Sequence, residues 1–236
     1  MSARSECARA VRSLNSPGMT APEGQQARPL PLRERKKLRT RTALEDTALR
    51  LFHERGFDAT TLDDLVEAVE VSKRTFFRNY ASKEDVALAA EIRLWDTYIE
   101  TLRTHPMRGR LLDMVRDCLT SAVRELGPDW DRRFIATRRL IAGTPALRDR
   151  SLLLSVTVPD RVVEVLEDRT GIDGRQDVRL RLVGELALSA WRCGAKNWVA
   201  GRGFEGRRGH GGTEMLIRRV EEAFAAVPGA VALPVR

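Results

Sequence analysis

Beyond residue 30, nearly every stretch of this 236-residue chain spaces its apolar side chains three or four positions apart, and none alternates them convincingly. A repeat near 3.6 buries one stripe of a helix, whereas a half-buried strand needs a repeat of two. The chain is therefore expected to be all-α. The first predicted helix runs over about 33–55, with Leu44, Ala48, Leu51 and Phe52 at i, i+4, i+7 and i+8 and Gly56 as its C-terminal cap. Breaks at His105-Pro106, Gly127-Pro128, Gly143-Thr144-Pro145 and Gly171–Gly174 separate further helices at about 108–126, 129–142, 146–169, 176–200 and 213–227. Pro159 inside the 146–169 pattern predicts a kink or break. There is no internal repeat.

Residues 60–85, TTLDDLVEAVEVSKRTFFRNYASKED, narrow the reading further. Thr60 or Thr61 caps a short helix to about Val69, whose apolar face is Leu62, Leu65, Val66 and Val69. Glu70 and Val71 make a turn, and Ser72 caps a second short helix to about Tyr80. Ser82 with Asp85 opens a long fourth helix to about Arg103. Two short helices about a tight turn form the layout of a helix-turn-helix DNA reader. On the second of them, Val71, Phe76 and Tyr80 are spaced to face the preceding helices. That leaves Lys73, Arg74, Phe77 and Arg78 outside. Arg or Lys on a helix in the major groove pairs with guanine O6 and N7, and Phe77 can pack on a thymine methyl. An exposed phenyl ring beside three cations has no packing purpose of its own. Just upstream, residues 33–41 hold six cations and one acid, Arg35, Lys36 and Lys37 among them. Alone this would read as a solubilising arm; its position before the helix-turn-helix points to phosphate or minor-groove contact. Thr61 and Lys83 stand at helix N-termini, where backbone N–H groups favour phosphate.

Composition agrees with an anionic partner without proving one. The formal net charge is +8, and 42% of residues are hydrophobic, enough for a sizeable core. No apolar run approaches the roughly 20 residues that span a bilayer, so no membrane partner is expected. Residues 1–30, rich in Pro and Gly and poor in apolar side chains, read as a disordered tail rather than a secretory signal, and Met19 within them offers an alternative start. Cys7, Cys118 and Cys193 are odd in number and scattered, which argues against a disulfide framework and for the cytoplasm. His53, His105 and His210 have no metal-ligand spacing, so no metal or other cofactor is expected. Gly201-Arg202-Gly203-Phe204-Glu205-Gly206 matches GxGxxG literally but follows a helix, outside any βαβ unit, and reads as a loop. No nucleophile elbow, P-loop or HExxH motif is present, and the chain is not expected to be an enzyme.

Residues about 35–85 resemble the DNA-binding domain of the TetR family of bacterial transcriptional regulators. The resemblance rests on Ala48-Leu49, Leu51-Phe52, Glu54-Arg55-Gly56-Phe57 and Thr60-Thr61. It continues through Val71-Ser72-Lys73-Arg74-Thr75-Phe76-Phe77-Arg78-Asn79-Tyr80 and Ser82-Lys83-Glu84. It implies that Lys73, Arg74, Phe77 and Arg78 meet bases or the groove wall, and that Thr61, Thr75, Asn79 and Lys83 meet phosphates. Glu70 stands where the family often has Gly, and Ala81 where it often has Pro. A positive φ at Glu70 would cost about 1 kcal/mol. The resemblance further implies a homodimer on a palindromic operator, most often as a repressor. More weakly, Thr144-Pro145-Ala146-Leu147-Arg148, Trp191 and Trp198 are similar to an actinobacterial subgroup with an acyl-CoA-like ligand-binding domain.

The expected organisation is a tail (1–30), a three-helix helix-turn-helix domain (31–82), a helical ligand-binding and dimerisation domain (83–230) and a short tail (231–236). In the 176–200 helix apolar pairs recur every four positions, a stripe broad enough for both core and partner helix. Its small residues Ala187, Ala190 and Gly194, with Val220 and Phe224 of the last helix, are the expected dimer face; plain intramolecular core is the alternative. Trp95, Tyr98, Leu102, Phe134 and Trp191 are candidates to line a pocket for an apolar effector, with an acyl-CoA as one candidate and Arg138, Arg139, Arg192 and Lys196 available to an anionic head group. Glu185 is either bonded to a partner or a pocket acid. An activator, a ligand-independent DNA-binding protein, and an acyl-ligand carrier or enzyme with a vestigial DNA-binding head are the other classes the sequence admits.

Overall fold

The computed structural model describes residues 31–201 and 211–235, and within them every regular element is a helix. The expectations for residues 1–30 and for the GxGxxG segment after Gly201 lie outside the described residues. Helix α1, Leu32–Arg55, is long because nothing interrupts its pattern until Gly56, whose φ of 90° ends it while its N–H still reaches the Phe52 carbonyl. Only its second half is buried, through Leu44, Ala48, Leu51 and Phe52; its first two turns are exposed. Helices α2 (Leu62–Ala68) and α3 (Lys73–Asn79) follow. Thr61 caps α2 with a reciprocal capping box to Asp64, and Ser72 caps α3 by accepting from the Thr75 N–H. Between them Val71 N–H bonds the Val66 carbonyl and Glu70 N–H the Glu67 carbonyl, the two bonds of a Schellman ending. Its left-handed position falls on Glu70, at φ 53°.

The single fourth helix expected from the sequence is two. Helix α4, Lys83–Ala87, and helix α5, Ala89–Thr104, meet at Leu88, whose ψ of 8° leaves the helical range while its side chain is wholly buried. The rest of the chain forms α6 (Leu111–Glu125), α7 (Trp130–Gly143), α8 (Pro145–Thr170), α9 (Val178–Val199) and α10 (Gly212–Val231). Helix α8 runs through Pro159 instead of breaking there. Pro159 is buried against α9, where its carbonyl lies 3.0 Å from where a side chain on Gly184 would begin. Packing of α8 on α9 thus offsets the hydrogen bond that proline removes.

Two apolar cores result. One gathers α1 to α4 around Phe52, Leu65, Phe76 and Leu88, and it also takes in Leu140, Ile141 and Leu147 from the elbow between α7 and α8. The other fills the space between α5 and α10 around Trp95, Tyr98, Leu119, Trp130, Trp191 and Trp198.

Ala187, Ala190, Gly194, Val220 and Phe224, expected at a dimer face, are instead buried inside the single chain. They close-pack α9 on α10: a Cβ on Gly194 would sit 2.7 Å from the Arg219 carbonyl oxygen. The small residues serve that close approach within the chain. The outward side of α9 carries Val178 and Leu182, 62% and 51% exposed. Glu185 is exposed as well and does not line the cavity described below, which removes its reading as a pocket acid.

Candidate nucleic-acid interface and ligand cavity

Helix α3 divides as its spacing predicts. Phe76 and Tyr80 are buried, while Lys73, Arg74, Phe77 and Arg78 face out. Phe77 is 55% exposed and meets the rest of the protein edge-on, 5.5 Å from the Phe76 ring. No hydrogen bond or ion pair within the described residues engages Arg74 or Arg78, so both guanidinium groups keep their donors. Lys73 pairs with Asp63 at 2.7 Å, but both are more than half exposed, and such a pair is easily exchanged for phosphate. The first turns of α1 lie beside α3: Leu32, Arg33, Lys36, Lys37 and Thr40 share one groove with Arg78. The structure therefore joins the cationic arm and the recognition-type helix, which the sequence could only place in series; Arg35 is exposed on the same helix end.

The residues expected at phosphates are more committed. Thr61 Oγ1 donates to Asp64 at 2.6 Å, and Thr75 Oγ1 lies 3.1 Å from Ser72 Oγ. Asn79 donates to the Thr75 carbonyl at 2.7 Å. Lys83 departs furthest from expectation. Its ammonium donates to the Phe57 and Thr60 carbonyls at 2.8 and 2.9 Å and sits 4.2 Å from the Phe57 ring centroid. It ties down the α1–α2 connection, which has carbonyls to satisfy, and has at most one proton left for a phosphate.

Beneath α3 lies a polar hub. Glu45, on α1 and 1% exposed, accepts from Arg93 of α5 at 2.5 Å, from the Tyr80 hydroxyl at 2.7 Å and from Arg41 at 3.3 Å. Burial and the Glu45 carboxylate push the Tyr80 phenol far up, so it stays a donor. This hub joins α1, the end of α3 and α5. Other links join the same region to α7 and α8. Arg133 forks onto Asp46 at 2.6 and 3.2 Å, His53 donates to the Ala136 carbonyl at 3.1 Å, and Arg150 bonds Asp85 at 3.2 Å.

A half-open cavity of about 550 Å³ lies between α5, α7, α8 and α9. Trp95, Phe134 and Trp191, three of the expected pocket residues, line it; Tyr98 and Leu102 do not and are sealed in the core. Glu91 and Ser151, not anticipated, supply its polar wall. Ser151 Oγ lies 3.2 and 3.0 Å from the two Glu91 oxygens, and Arg138 approaches at 3.8 Å. Burial raises the Glu91 carboxyl above its ordinary value, against the pull of Arg138 and Ser151. A signal for Glu91 existed, since it begins the stripe that continues through Trp95, Tyr98 and Leu102. No group of side chains among the described residues is arranged to hold a metal ion, and no described helix is long and apolar enough to cross a membrane.

A capped helix pair that buries Phe76 and Tyr80 and turns unpaired guanidinium groups outward defines a helix-turn-helix DNA-binding regulator. The model of bacterial regulatory proteins of the tetR family matches residues 44–90. Over 173 residues, 71% of this chain and 76% of the relative, the sequence is 31% identical to the HTH-type transcriptional regulator TcmR of Streptomyces glaucescens. Over 61 residues, 25% of this chain and 33% of the relative, it is 34% identical to the biofilm operon icaADBC HTH-type negative transcriptional regulator IcaR of Staphylococcus epidermidis. A solved transcriptional regulator (TerR/AcrR family) from Aquifex aeolicus aligns over 80% of this chain and 99% of its own, at 15% identity and a TM-score of 0.47. The chain belongs to the TetR family of transcriptional regulators, whose members bind DNA as dimers and are not enzymes.

Proposed function

We propose that this protein is a cytoplasmic repressor that binds a palindromic operator as a homodimer and releases it when an apolar small molecule enters the cavity. Residues 31–82 act as the reading head and residues 83–230 as the sensing and dimerising part. Arg74 and Arg78 read base edges, Lys73 and Phe77 meet the groove wall, and the arm around Arg35, Lys36 and Lys37 neutralises phosphates. Thr61, Thr75 and Asn79 approach the backbone of the duplex. The dimer forms through the outward side of α9, where Val178 and Leu182 stand exposed one turn apart.

The observation that carries the regulatory part is that one helical hairpin does two jobs. Helices α7 and α8 wall the cavity through Phe134, Arg138 and Ser151, and hold the head through Arg133, Arg150 and Leu147. A ligand that prefers a different setting of this hairpin shifts the dimer away from the conformation matched to the half-site spacing; equal affinity for both settings would shift nothing. Arg74→Ala should cost about 1–3 kcal/mol of operator binding and relax specificity at one base pair. A gel-shift series against single-base operator variants measures both. Equal affinity of the unaltered protein for operator and random DNA at physiological salt would sink the reading.

A further inference from the structure

The cavity is chemically two-ended. At its inner end are a buried carboxyl, Glu91, 5% exposed, and a buried indole N–H, Trp95 Nε1, which lies near that carboxyl without closing a hydrogen bond. Its wall is aromatic: the Trp191 ring stands nearly perpendicular to both Trp95 and Phe134, at centroid distances of 5.6 and 5.9 Å. Toward its outer end three cations, Arg148, Arg192 and Lys196, line the space, while Arg138 lies against Glu91 and Ser151; among the described lining residues Glu91 is the one acid. Arg192 and Lys196 are exposed, and among the described residues Arg192 holds a long contact to Ser189 at 3.5 Å.

We infer that the effector is a planar aromatic organic anion bearing a hydroxyl group on its ring system. This rests on the reading of the cavity as the effector site. Planar rings fill an edge-to-face aromatic wall better than a flexible chain does, because little rotational freedom is lost. The ring hydroxyl accepts from Trp95 Nε1, the buried donor at this end that has no partner among the described residues, and donates to Glu91, whose oxygens share the single Ser151 hydroxyl. A saturated acyl chain would lay methylenes against both and strip them of water without return. The acid group of the ligand takes charge-assisted hydrogen bonds from Arg192 and Lys196 at the mouth.

Hydroxynaphthoate, its methyl ester, naphthoate without the hydroxyl, and palmitoyl-CoA test this by isothermal titration calorimetry on the full-length protein, with operator release followed in parallel. Hydroxynaphthoate should bind roughly tenfold or more tightly than either the ester or naphthoate. The double variant R192Q/K196Q should lose most of the preference for the acid over the ester. Trp95→Phe keeps a ring but removes the N–H, and should weaken hydroxynaphthoate severalfold while sparing naphthoate. Equal binding of acid and ester, tighter binding of palmitoyl-CoA, or no binding by the aromatic acid at millimolar concentration would each overturn the inference. If the acid binds as expected but the operator stays bound, the assigned ligand class stands and the regulatory reading falls. If an unrelated compound alone releases the operator, the regulatory reading stands and the ligand class falls.

Discussion

Glu45 and Glu91 are both buried carboxyl groups on helices, yet they do opposite things to their surroundings. Glu45, inside the reading head, is met at one oxygen by a guanidinium at 2.5 Å, a phenol at 2.7 Å and a second guanidinium at 3.3 Å, its other oxygen having no hydrogen-bond partner among the described residues. Glu91, at the cavity, has one serine hydroxyl and a guanidinium no nearer than 3.8 Å. A buried charge with its partners around it fixes the relative placement of the elements that supply them. One met by a single neutral hydroxyl, with its nearest cation beyond hydrogen-bond reach, ties its surroundings together less firmly. The head is thus held in one arrangement while the cavity is left open to a second.

The largest test of this contrast is Glu45→Ala. It takes the acceptor from the buried Tyr80 hydroxyl and from a partly buried Arg93, and should cost about 2–3 kcal/mol of stability by urea unfolding. A loss under about 1 kcal/mol would mean that the hub is not what holds α1 to α5. Next comes α9. Gly194→Val drives a side chain into the Arg219 carbonyl of the same protomer and should cost about 1–3 kcal/mol through overpacking. Leu182→Glu, on the outward side, should leave protomer stability nearly unchanged and shift sedimentation toward monomer. The reverse pattern would restore the small-residue stripe as the dimer face. In the head, Glu70→Gly relieves a left-handed backbone at φ 53° and should stabilise by about 1 kcal/mol, visible as a raised urea midpoint with an unchanged slope.

The smallest effect is expected at Glu91→Gln, and it depends on pH. Burial raises this carboxyl, so the folded protein binds its proton more tightly than the unfolded chain does. Stability is then lost as pH climbs through the window that opens at the ordinary value of 4.5 and closes at the raised folded value, and is regained on acidification. Glutamine carries no such cost. Its stability relative to wild type should therefore improve with rising pH across that window, in paired unfolding curves. An advantage that does not change with pH would refute the assignment.

The head was largely legible from sequence because its signals are local. Thr61 with Asp64, Ser72 with Thr75, and the split of Phe76 and Tyr80 from Arg74 and Arg78 all lie within a few residues of one another. The same local logic failed at Leu88, where the helix is interrupted at a wholly buried side chain without any breaker residue, and at Pro159, where a breaker is overridden by packing on Gly184. It failed differently on α9. A stripe of Ala and Gly states that something comes close, but not whether the neighbour is α10 or a second copy. The cavity was half legible: its rings stand out in the sequence, but Ser151 lies 60 residues from Glu91, and only the fold makes them partners. Lys83 shows the converse hazard. Its place at a helix start made it a phosphate candidate, yet two nearby carbonyls claim it first.

Leu140, Ile141 and Leu147 sit in the same apolar core as Phe52 and Phe76. A chimera that swaps operator preference by transplanting residues 31–82 onto another regulator would carry half of a jigsaw and leave the matching pieces behind. Its recipient would need the elbow's three side chains as well, or a host whose own elbow presents similar volumes. Redesign of such switches therefore has its natural cut not at a linker in the sequence but along a buried seam, and grafts should be planned as two distant segments moved together.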